Sequence, residues 1–430
     1  MKTQSVTFTR IRQRLHRWTL AGVTFLVVLG LLLAVLAALP ALSPGIGASV
    51  ADKLRAVVGP DLVAQVESAS FRIQDVFNRL RFRLTGGRPQ ITWADTEPVE
   101  LPPTPVPEIR GPDAQVSTQG ALMDIQPRAI SQPGVVDAPP SIAGGWQAFG
   151  PLVSGTPVMA RVSVQPDRTR AYALAAVVRI DLSQTRLFIV PGTVEPVAAK
   201  GAPSFNRPGT IPPEVQASGT LLAAFNGGFK AIHGGYGMRV DGVTILPPKE
   251  GIATLAFYRD GSVRLGAWGR EITATNDLIA YRQNCPLLLD AGQVNPSVND
   301  GSRKEWGYTV KNLDTTWRSG VGISRDGRFL IYAAGNSLTV ESLAHALQEG
   351  GAYYAMQLDI NGYYTRFVTY APLKAGSRYS VEAVKLLDQM SAGSTQFLSP
   401  YDRDFFYVTT VPQAGGRTTA RMGMKELPGN

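Results

Sequence analysis

Three glycine-rich segments carry polar side chains beside apolar runs, and their residue types suit the binding of a phosphate or a sugar. The first reads Leu-Leu-Ala-Ala-Phe-Asn-Gly-Gly-Phe-Lys over residues 221–230. Asn226 places an amide at the tip of a predicted buried strand, and Gly227 and Gly228 let the backbone approach a ligand closely. Lys230 adds a cation nearby. Because Asn-Gly is also typical of a hairpin turn, a purely structural interpretation stays open.

The second segment reads Asn-Leu-Asp-Thr-Thr-Trp-Arg-Ser-Gly-Val-Gly over residues 312–322. Arg318 and Ser319 stand at the entrance to an apolar strand. The guanidinium of an arginine is a planar fork of donors that suits phosphate or carboxylate. A solvated or salt-bridged arginine at a strand edge is the alternative.

The third segment, residues 350–362, is predicted to contain a helix end and a short apolar strand, with Asp359, Asn361 and Gly362 at the strand's tip. A carboxylate at the end of a buried strand is costly unless it is paired or used in chemistry. Asp359 is therefore the strongest single candidate for a reacting group in the chain.

Together these segments resemble the phosphodiester glycosidase domain family. The matching blocks are Asn226-Gly-Gly-Phe229, Cys285-Pro-Leu-Leu288 with Gly292, Arg318-Ser-Gly-Val-Gly322 and residues 338–344. They are similar, in order, to the family's Asn-Gly-Gly-Phe-Phe, Gly-Pro-x-Leu and Arg-Thr-Ala-x-Gly blocks and to the helix before its Asp-Gly-Gly-Gly-Ser block. The resemblance covers residues 172–370 and implies a hydrolase that cleaves a bond between a sugar and a phosphate.

The chain departs from the family pattern at two places. It has Asp-Ile-Asn-Gly-Tyr at residues 359–363 where the family reads Asp-Gly-Gly-Gly-Ser, and Ala-Ala-Gly-Asn at residues 333–336 where the family often reads Val-Asp-Gly-Arg. A second interpretation therefore stays open: a carbohydrate-binding or envelope-organising module that kept the cleft and lost the reaction.

The chemistry of the implied reaction assigns roles to the charged candidates. Phosphate is a good leaving group, so the protein needs cations for the phosphate and a carboxylate at the anomeric carbon more than it needs a strong general acid. Asp359 is the expected nucleophile or base. Arg318, helped by Ser319 and Lys230, is expected to neutralise the phosphate.

The remaining candidates have supporting roles. Asn226 and Asn361 are expected to hydrogen-bond the sugar or the phosphate, with Gly227, Gly228 and Gly362 lining the substrate. His233 is either a general acid or a polar loop residue. A second carboxylate is not identified from the pattern, and Asp241 and Asp290 are the candidates considered for it.

Composition argues against several other functions. Three histidines and one cysteine, with His16 near the N-terminus, argue against a zinc site, whereas an oxygen-ligated divalent cation stays open. No metal site and no cofactor is therefore predicted, and Cys285 is expected to be a free structural thiol. Five of the net nine positive charges precede residue 18, which argues against nucleic acid as a partner and leaves a glycan or sugar phosphate.

The elements that must position these residues are mainly strands. Short β-rich runs are predicted at residues 171–180, 186–190, 221–225, 253–258, 320–323 and 329–333. Helical patterns are predicted at residues 339–349, with Asn336 and Ser337 as its capping residues, and at residues 381–390. Many strands with few helices predict an α+β fold, here following an N-terminal transmembrane helix.

The N-terminus predicts a membrane anchor. Residues 19–39 form an uncharged apolar run long enough to span a bilayer, and the basic residues before it predict a cytoplasmic N-terminus. The rest of the chain is then extracytoplasmic. A cleaved signal peptide is the alternative, and it also exports the domain.

The remaining domain boundaries follow from composition. The prediction is a basic segment at residues 1–18, the span at 19–39, an amphipathic helical segment at 40–85, a proline-rich linker at 86–145, the glycosidase-like domain at 146–411 and a tail at 412–430. The linker is expected to be extended and to lift the domain away from the membrane. Arginines at positions 72, 79, 81 and 83 indicate either a solvated helix face or contact with anionic head groups.

Overall fold

The structure is a computed structural model that describes residues 57, 59–87, 91, 142–300, 304–307, 314–372, 381–391 and 393–411. Within these ranges strands dominate and helices are few. The helices are α1 (Pro60–Leu84), α2 (Pro213–Ala217) and α3 (Val340–Glu349). Short 3-10 helices cover Pro296–Asn299, Lys304–Trp306 and Gln396–Leu398. The strands are β1 (Ile142–Ala148), β2 (Leu152–Val153), β3 (Thr156–Pro157), β4 (Met159–Val164), β5 (Ala175–Asp181), β6 (Thr185–Val190), β7 (Leu221–Asn226), β8 (Met238–Val240), β9 (Val243–Leu246), β10 (Ala253–Tyr258), β11 (Val263–Ala267), β12 (Leu278–Gln283), β13 (Leu287–Asp290), β14 (Gln293–Val294), β15 (Thr316–Ile323), β16 (Phe329–Leu338), β17 (Tyr354–Gln357), β18 (Phe367–Pro372), β19 (Val381–Lys385) and β20 (Phe405–Thr410).

These strands form three large antiparallel sheets and one small hairpin, β2-β3. Sheet A has the order β1-β4-β5-β16-β15-β17-β13-β14, sheet B has β11-β10-β12-β8-β9, and sheet C has β19-β18-β7-β20-β6. Strands far apart in the chain are neighbours in sheet C, where β7 pairs with both β18 and β20. This non-local pairing brings the C-terminal strand β20 beside the Asn-Gly-Gly segment that follows β7.

The three sheets share one apolar core, to which sheet A contributes Val178, sheet B Leu255 and sheet C Phe225. Phe225 stacks on Phe367 and Phe406 of its neighbouring strands, with ring centroids 5.8 and 5.2 Å apart. Helix α3 covers the other face of sheet A and belongs to a second apolar cluster there. Sheet A is therefore buried on both faces in its middle, which explains why its central strands are continuous apolar runs.

The predicted strands are confirmed with small shifts of their ends. The runs predicted at residues 186–190, 221–225, 253–258, 320–323 and 329–333 lie in β6, β7, β10, β15 and β16, and residues 175–180 of the run predicted at 171–180 lie in β5. The strand-rich fold with few helices is thus observed.

The helix predicted at residues 339–349 is confirmed as α3, but its cap differs from the prediction. Asn336 and Ser337 belong to β16, and Thr339 is the N-cap. Its hydroxyl accepts a hydrogen bond from the Ser342 amide at 3.1 Å, and the Ser342 hydroxyl accepts one from the Thr339 amide at 2.8 Å. This reciprocal pair is a capping box.

Replacing Thr339 by Ala is expected to lower the free energy of unfolding by about 1 kcal/mol, because the buried Ser342 amide loses its acceptor. The shift of the urea unfolding midpoint measures this loss. Thr273→Ala, which makes the same change at an exposed loop residue, is a control expected to cost less. Equal midpoints for Thr339→Ala and the unmodified chain would contradict the capping role.

The prediction of a helix at residues 381–390 is wrong. Residues 381–385 form β19, which pairs antiparallel with β18 along its whole length. The apolar spacing that suggests a helix arises because Leu386, Leu387 and Met390 turn into the core after the strand ends. An edge of sheet C offered backbone partners that a local pattern does not reveal.

Helix α1 confirms the predicted helical segment over residues 60–84, and it packs directly on the domain. The Ser68 hydroxyl donates to Asp314 at 2.5 Å, and Arg170 donates to Asp75 at 3.2 Å. The prediction that the linker at residues 86–145 lifts the domain away from the membrane concerns residues that lie mostly outside the described ranges.

The predicted basic segment at residues 1–18, the span at 19–39 and the tail at 412–430 lie outside the described residues, as does most of the linker. Among the helices of the described residues, none has the length and apolar character needed to cross a membrane.

Candidate active site

The side chain of Asn226 joins sheets A and C at the end of β7. Its Nδ2 donates to the Ser319 hydroxyl at 3.0 Å, and its Oδ1 accepts from the Tyr332 hydroxyl and the Arg366 amide, both at 3.0 Å. The side chain is 3% exposed. Asn226 is therefore held by internal hydrogen bonds and fixes the relation between the two sheets.

This junction also positions Asp359. The Ser319 hydroxyl donates to the backbone oxygen of Asp359 at 2.8 Å, and the Asp359 amide donates to the backbone oxygen of Gly227 at 3.1 Å. The structure thus brings together Asn226, Gly227, Ser319 and Asp359, which the sequence placed in three separate segments.

The Asp359 carboxylate lies almost buried, with 5% of the residue exposed. Its Oδ1 accepts from the Asn361 amide at 2.9 Å, and its Oδ2 accepts from Nη2 of Arg403 at 2.6 Å. Two of the four lone-pair directions of the carboxylate are occupied in this way. The Asp-Ile-Asn-Gly turn, which departs from the family pattern, therefore still holds the carboxylate in place.

Arg403 is the residue of this site that sequence reasoning missed. Its Nη2 donates to the Gly228 backbone oxygen at 2.9 Å as well as to Asp359, and its guanidinium carbon lies 4.2 Å from the centre of the Tyr364 ring. Burial acts to lower the pKa of Arg403, but the Asp359 and Asp404 carboxylates outweigh it, so the pKa is raised and the guanidinium stays charged. The only sequence signal was the charged run Asp-Arg-Asp at residues 402–404, directly before an apolar strand.

Lys230 lies on the same aromatic side chain as Arg403. Its ammonium nitrogen is 5.5 Å from the centre of the Tyr364 ring. The structure therefore brings the predicted cation Lys230 to the Asp359–Arg403 pair, with Tyr364 in contact with both cations.

A second buried ion pair lies on the other side of the Gly-Gly segment. Nε of Arg282 donates to Asp404 at 2.8 Å, and both residues have fully buried side chains. A Cβ at Gly227 would lie 2.1 Å from the Asp404 carboxylate, and one at Gly228 would lie 3.0 Å from the Arg282 guanidinium. The glycines at 227 and 228 thus admit this ion pair, an internal reason for them beside the expected approach of a ligand.

Arg318 points away from this junction. It is fully buried, and its donors go to the Leu338 backbone oxygen at 3.0 Å, to Gln357 at 2.9 Å and to the Trp306 backbone oxygen at 3.4 Å. Burial lowers its pKa. Adjacent residues of a strand point to opposite faces, so Ser319 reaches Asp359 while Arg318 packs behind the sheet. Its observed donors therefore hold the β15–β17 region together.

The other predicted residues lie on loops around this junction. His233 lies in a turn after the Gly-Gly segment, where its amide donates to the Lys230 backbone oxygen at 2.9 Å. Asn361 is exposed, and its side chain accepts from the Tyr363 amide at 2.8 Å. Gly362 packs so closely on Trp317 that a Cβ would lie 2.5 Å from the indole ring.

The carboxylates considered as partners for Asp359 have other surroundings. The Asp290 side chain is 42% exposed, and both of its oxygens accept from Nη2 of Arg270 at 2.7 Å. Asp241 is an exposed turn residue with φ +48°. Glu195, which the sequence did not indicate, is 7% exposed and accepts from the Ala231 amide at 2.9 Å, next to Lys230. Glu195 is thus the better-placed second carboxylate.

Three arginines of this region carry surplus donors. Among the described residues, buried nitrogen atoms of Arg207 (Nη2), Arg366 (Nε and Nη1) and Arg403 (Nε) have no hydrogen-bond partner. The charges of Arg366, Arg403 and Asp359 all act on Tyr401, which places them in one neighbourhood. A buried donor without an acceptor costs about 1–3 kcal/mol, so this group is suited to receive an anion.

The described residues include no group of three or more His, Cys, Asp or Glu side chains arranged to hold a metal ion. The groups that the site does bring together are the Asp359 carboxylate and the Arg403 and Lys230 cations.

The single cysteine, Cys285, lies behind this site and is fully buried. Burial raises the pKa of its thiol to about 12. We expect the folded protein at pH 8 to resist a thiol reagent and to react once it is unfolded, because the thiolate is the reacting form.

The raised pKa of Cys285 also means that the unfolded state loses this proton first, so the free energy of unfolding falls as the pH rises above about 8.5.

Gln74→Cys, on the exposed side of α1, provides the control for this measurement and should react at once. Reaction of Cys285 in the folded chain at the rate of this control would contradict its burial.

Comparisons with known proteins agree with the family resemblance. Residues 219–372 match the family model described as phosphodiester glycosidase. No curated protein is significantly similar to the chain.

Several solved structures are similar to the chain. The catalytic domain of zebrafish N-acetylglucosamine-1-phosphodiester alpha-N-acetylglucosaminidase, auto-inhibited by its pro-peptide, is 17% identical with a TM-score of 0.37, over 61% of this chain and 87% of that one. A hypothetical protein from Synechocystis is 10% identical with a TM-score of 0.32, over 61% of this chain and 64% of that one. A putative exported protein from Burkholderia pseudomallei is 12% identical with a TM-score of 0.31, over 56% and 74%.

Proposed function

We propose that this chain, which carries a phosphodiester glycosidase domain over residues 219–372, hydrolyses glycosyl phosphodiesters of envelope glycans. The observation that carries the proposal is the buried Asp359–Arg403 pair with its surplus arginine donors. A carboxylate and a phosphate-binding cation side by side are what cleavage of a sugar-to-phosphate bond requires.

Asp359 acts at the anomeric carbon in this proposal. In a one-step displacement, Asp359 takes a proton from water while the water oxygen bonds to the anomeric carbon. The bond from that carbon to the phosphate oxygen breaks, and its electron pair stays with the phosphate. In a two-step displacement Asp359 itself bonds to the anomeric carbon as the bond to the phosphate oxygen breaks. A water then attacks that carbon, the bond from Asp359 breaks, and the water's proton passes to the released carboxylate. The two routes differ in the anomer that is released.

Arg403 takes the phosphate role that the sequence suggested for Arg318. Its Nε has no partner among the described residues, whereas the donors of Arg318 are held by backbone oxygens and Gln357. Arg403 thus connects the carboxylate to the departing phosphate, and Lys230 adds a second cation. Because the leaving group is already stabilised by these charges, a general acid such as His233 is dispensable.

The proposal is tested with the full chain and two substrates that share one sugar, a glycosyl phosphodiester and a simple glycoside. Release of sugar from the phosphodiester alone is expected, because the arginines act only on phosphate. Resolving the anomer of the first product by NMR distinguishes the one-step from the two-step route. Saturable binding of the phosphodiester without any release would contradict hydrolysis and favour the carbohydrate-binding module.

The proposed location of the domain rests on the N-terminal sequence. We propose that residues 19–39 anchor the protein in the cell membrane with the N-terminus cytoplasmic and the domain extracytoplasmic, since the run is uncharged and the basic residues precede it. Resistance of the protein to extraction from membranes at alkaline pH supports the anchor. Digestion of the domain by protease added outside intact spheroplasts supports the orientation, and protection from that protease would contradict it.

A further inference from the structure

Helix α1 presents an apolar stripe to the outside. Its largest members are Leu62 (46% exposed), Ile73 (72%), Val76 (66%), Phe77 (62%), Leu80 (53%) and Leu84 (77%). At a rotation of ~100° per residue these side chains fall within a sector of about 100° along one side of the helix. A continuous row of large exposed apolar side chains is unusual on a soluble surface and indicates something that covers it.

The domain occupies the opposite side of the helix and so does not cover the stripe. Asp75 accepts from Arg170 and from the Tyr172 hydroxyl, Arg79 donates to the Thr169 backbone oxygen at 3.1 Å, and Ser68 donates to Asp314. A helix of this kind normally buries its apolar side on its own domain. Here the polar side docks on the domain, and the apolar side is left for a partner.

The charges beside the stripe distinguish between two kinds of partner that cover such a helix face, a second copy of the chain and a lipid bilayer. The exposed arginines Arg72 and Arg83 lie on one side of the stripe and Arg81 on the other, each about 70–90° from its centre by the same rotation. Arg72 also contacts Asp314 of the domain at 3.9 Å, so Arg81 and Arg83 are the cations available to a partner. Asp75, the only acidic residue between positions 69 and 84, is turned to the domain. Like charges on both rims oppose pairing with a second copy, whereas long basic side chains beside an apolar stripe suit the anionic head groups of a bilayer.

The segment between the predicted membrane span and α1 is short enough for α1 to reach the bilayer. The predicted span ends at residue 39, and α1 begins at Pro60. The 20 residues between them extend to at most about 70 Å. The helix therefore lies within about 70 Å of the bilayer and can reach its surface if the N-terminal run is anchored.

We propose that α1 lies in the interfacial layer of the membrane, with its apolar stripe in the acyl boundary and its arginines at anionic head groups. This inference rests on the proposed membrane anchor. The helix then holds the glycosidase domain against the bilayer through the contacts of Ser68, Asp75 and Arg79. The domain acts on glycans next to the membrane surface rather than far from it.

The test uses the full chain in liposomes that contain anionic lipid. Single spin labels are attached at Ile73→Cys and Phe77→Cys on the stripe, and at Gln74→Cys as the matched control one residue away. The native Cys285 adds no spin label of its own, because its buried thiol does not react in the folded protein. Oxygen, which concentrates in lipid, and a water-soluble nickel complex then report the surroundings of each label.

We expect the stripe labels to collide mainly with oxygen and to lose collisions with the nickel complex, while the Gln74→Cys label keeps them. Replacing the anionic lipid by a zwitterionic one should weaken this difference, as should Arg81→Glu with Arg83→Glu. If the chain floats with the liposomes but the stripe labels still collide with the nickel complex, the inference is overturned. The membrane anchor is then still supported. Spin–spin broadening between stripe labels overturns it in favour of a second copy. A chain that does not float with the liposomes contradicts the anchor itself.

Discussion

Asp359→Asn is expected to lower turnover of a glycosyl phosphodiester by about 10²- to 10⁴-fold. The amide oxygen of Asn keeps a hydrogen bond from Arg403, so the site stays assembled while the group that takes the proton or attacks carbon is lost. The measurement is sugar release under saturating substrate, which reports turnover separately from binding.

Asp290→Asn is the matched control, because it makes the same chemical change at an exposed carboxylate paired with Arg270. It should leave turnover unchanged. If Asp359→Asn keeps turnover within a factor of about two of this control, Asp359 is not the reacting carboxylate and Glu195 becomes the next candidate.

Arg282→Met is expected to lower the free energy of unfolding by about 3–5 kcal/mol. The substitution leaves the Asp404 carboxylate buried without its main donor, and both side chains are fully buried in the folded chain. The shift of the urea unfolding midpoint, followed by tryptophan fluorescence, gives the loss.

Arg270→Met removes an arginine from an exposed ion pair and should cost no more than about 1 kcal/mol, which makes it the control. The double variant Arg282→Met with Asp404→Leu should regain part of the stability, because it removes the unpaired charge as well. A double variant less stable than Arg282→Met alone would contradict an unpaired carboxylate as the cause of the loss.

Asp359 and Arg318 show how far a local pattern predicts a site. The pattern singled out Asp359 because a buried carboxylate is costly without a partner, and Arg318 because its fork of donors suits a phosphate. It did not reveal which partner each one has. Asp359 meets Arg403, 44 residues further along, whereas Arg318 packs against backbone oxygens on the other face of the same sheet.

Helix α3 and strand β19 show how far local sequence predicts secondary structure. Residues 339–349 contain their own cap and apolar face, so the helix is predictable from local sequence. Residues 381–385 form a strand because β18 offers an unpaired edge, and that edge exists only in the folded sheet.

The sequence by itself determined the strand-rich class, the Asn-Gly-Gly and Asp359 segments and the family resemblance, because short apolar runs, glycines and isolated charges act through local chemistry. It also predicted a helical segment at residues 40–85, within which α1 lies. Only the tertiary structure decided that Arg403 pairs with Asp359, and that α1 docks by its polar side. Both depend on contacts between distant parts of the chain, and no local pattern contains the partner of a side chain.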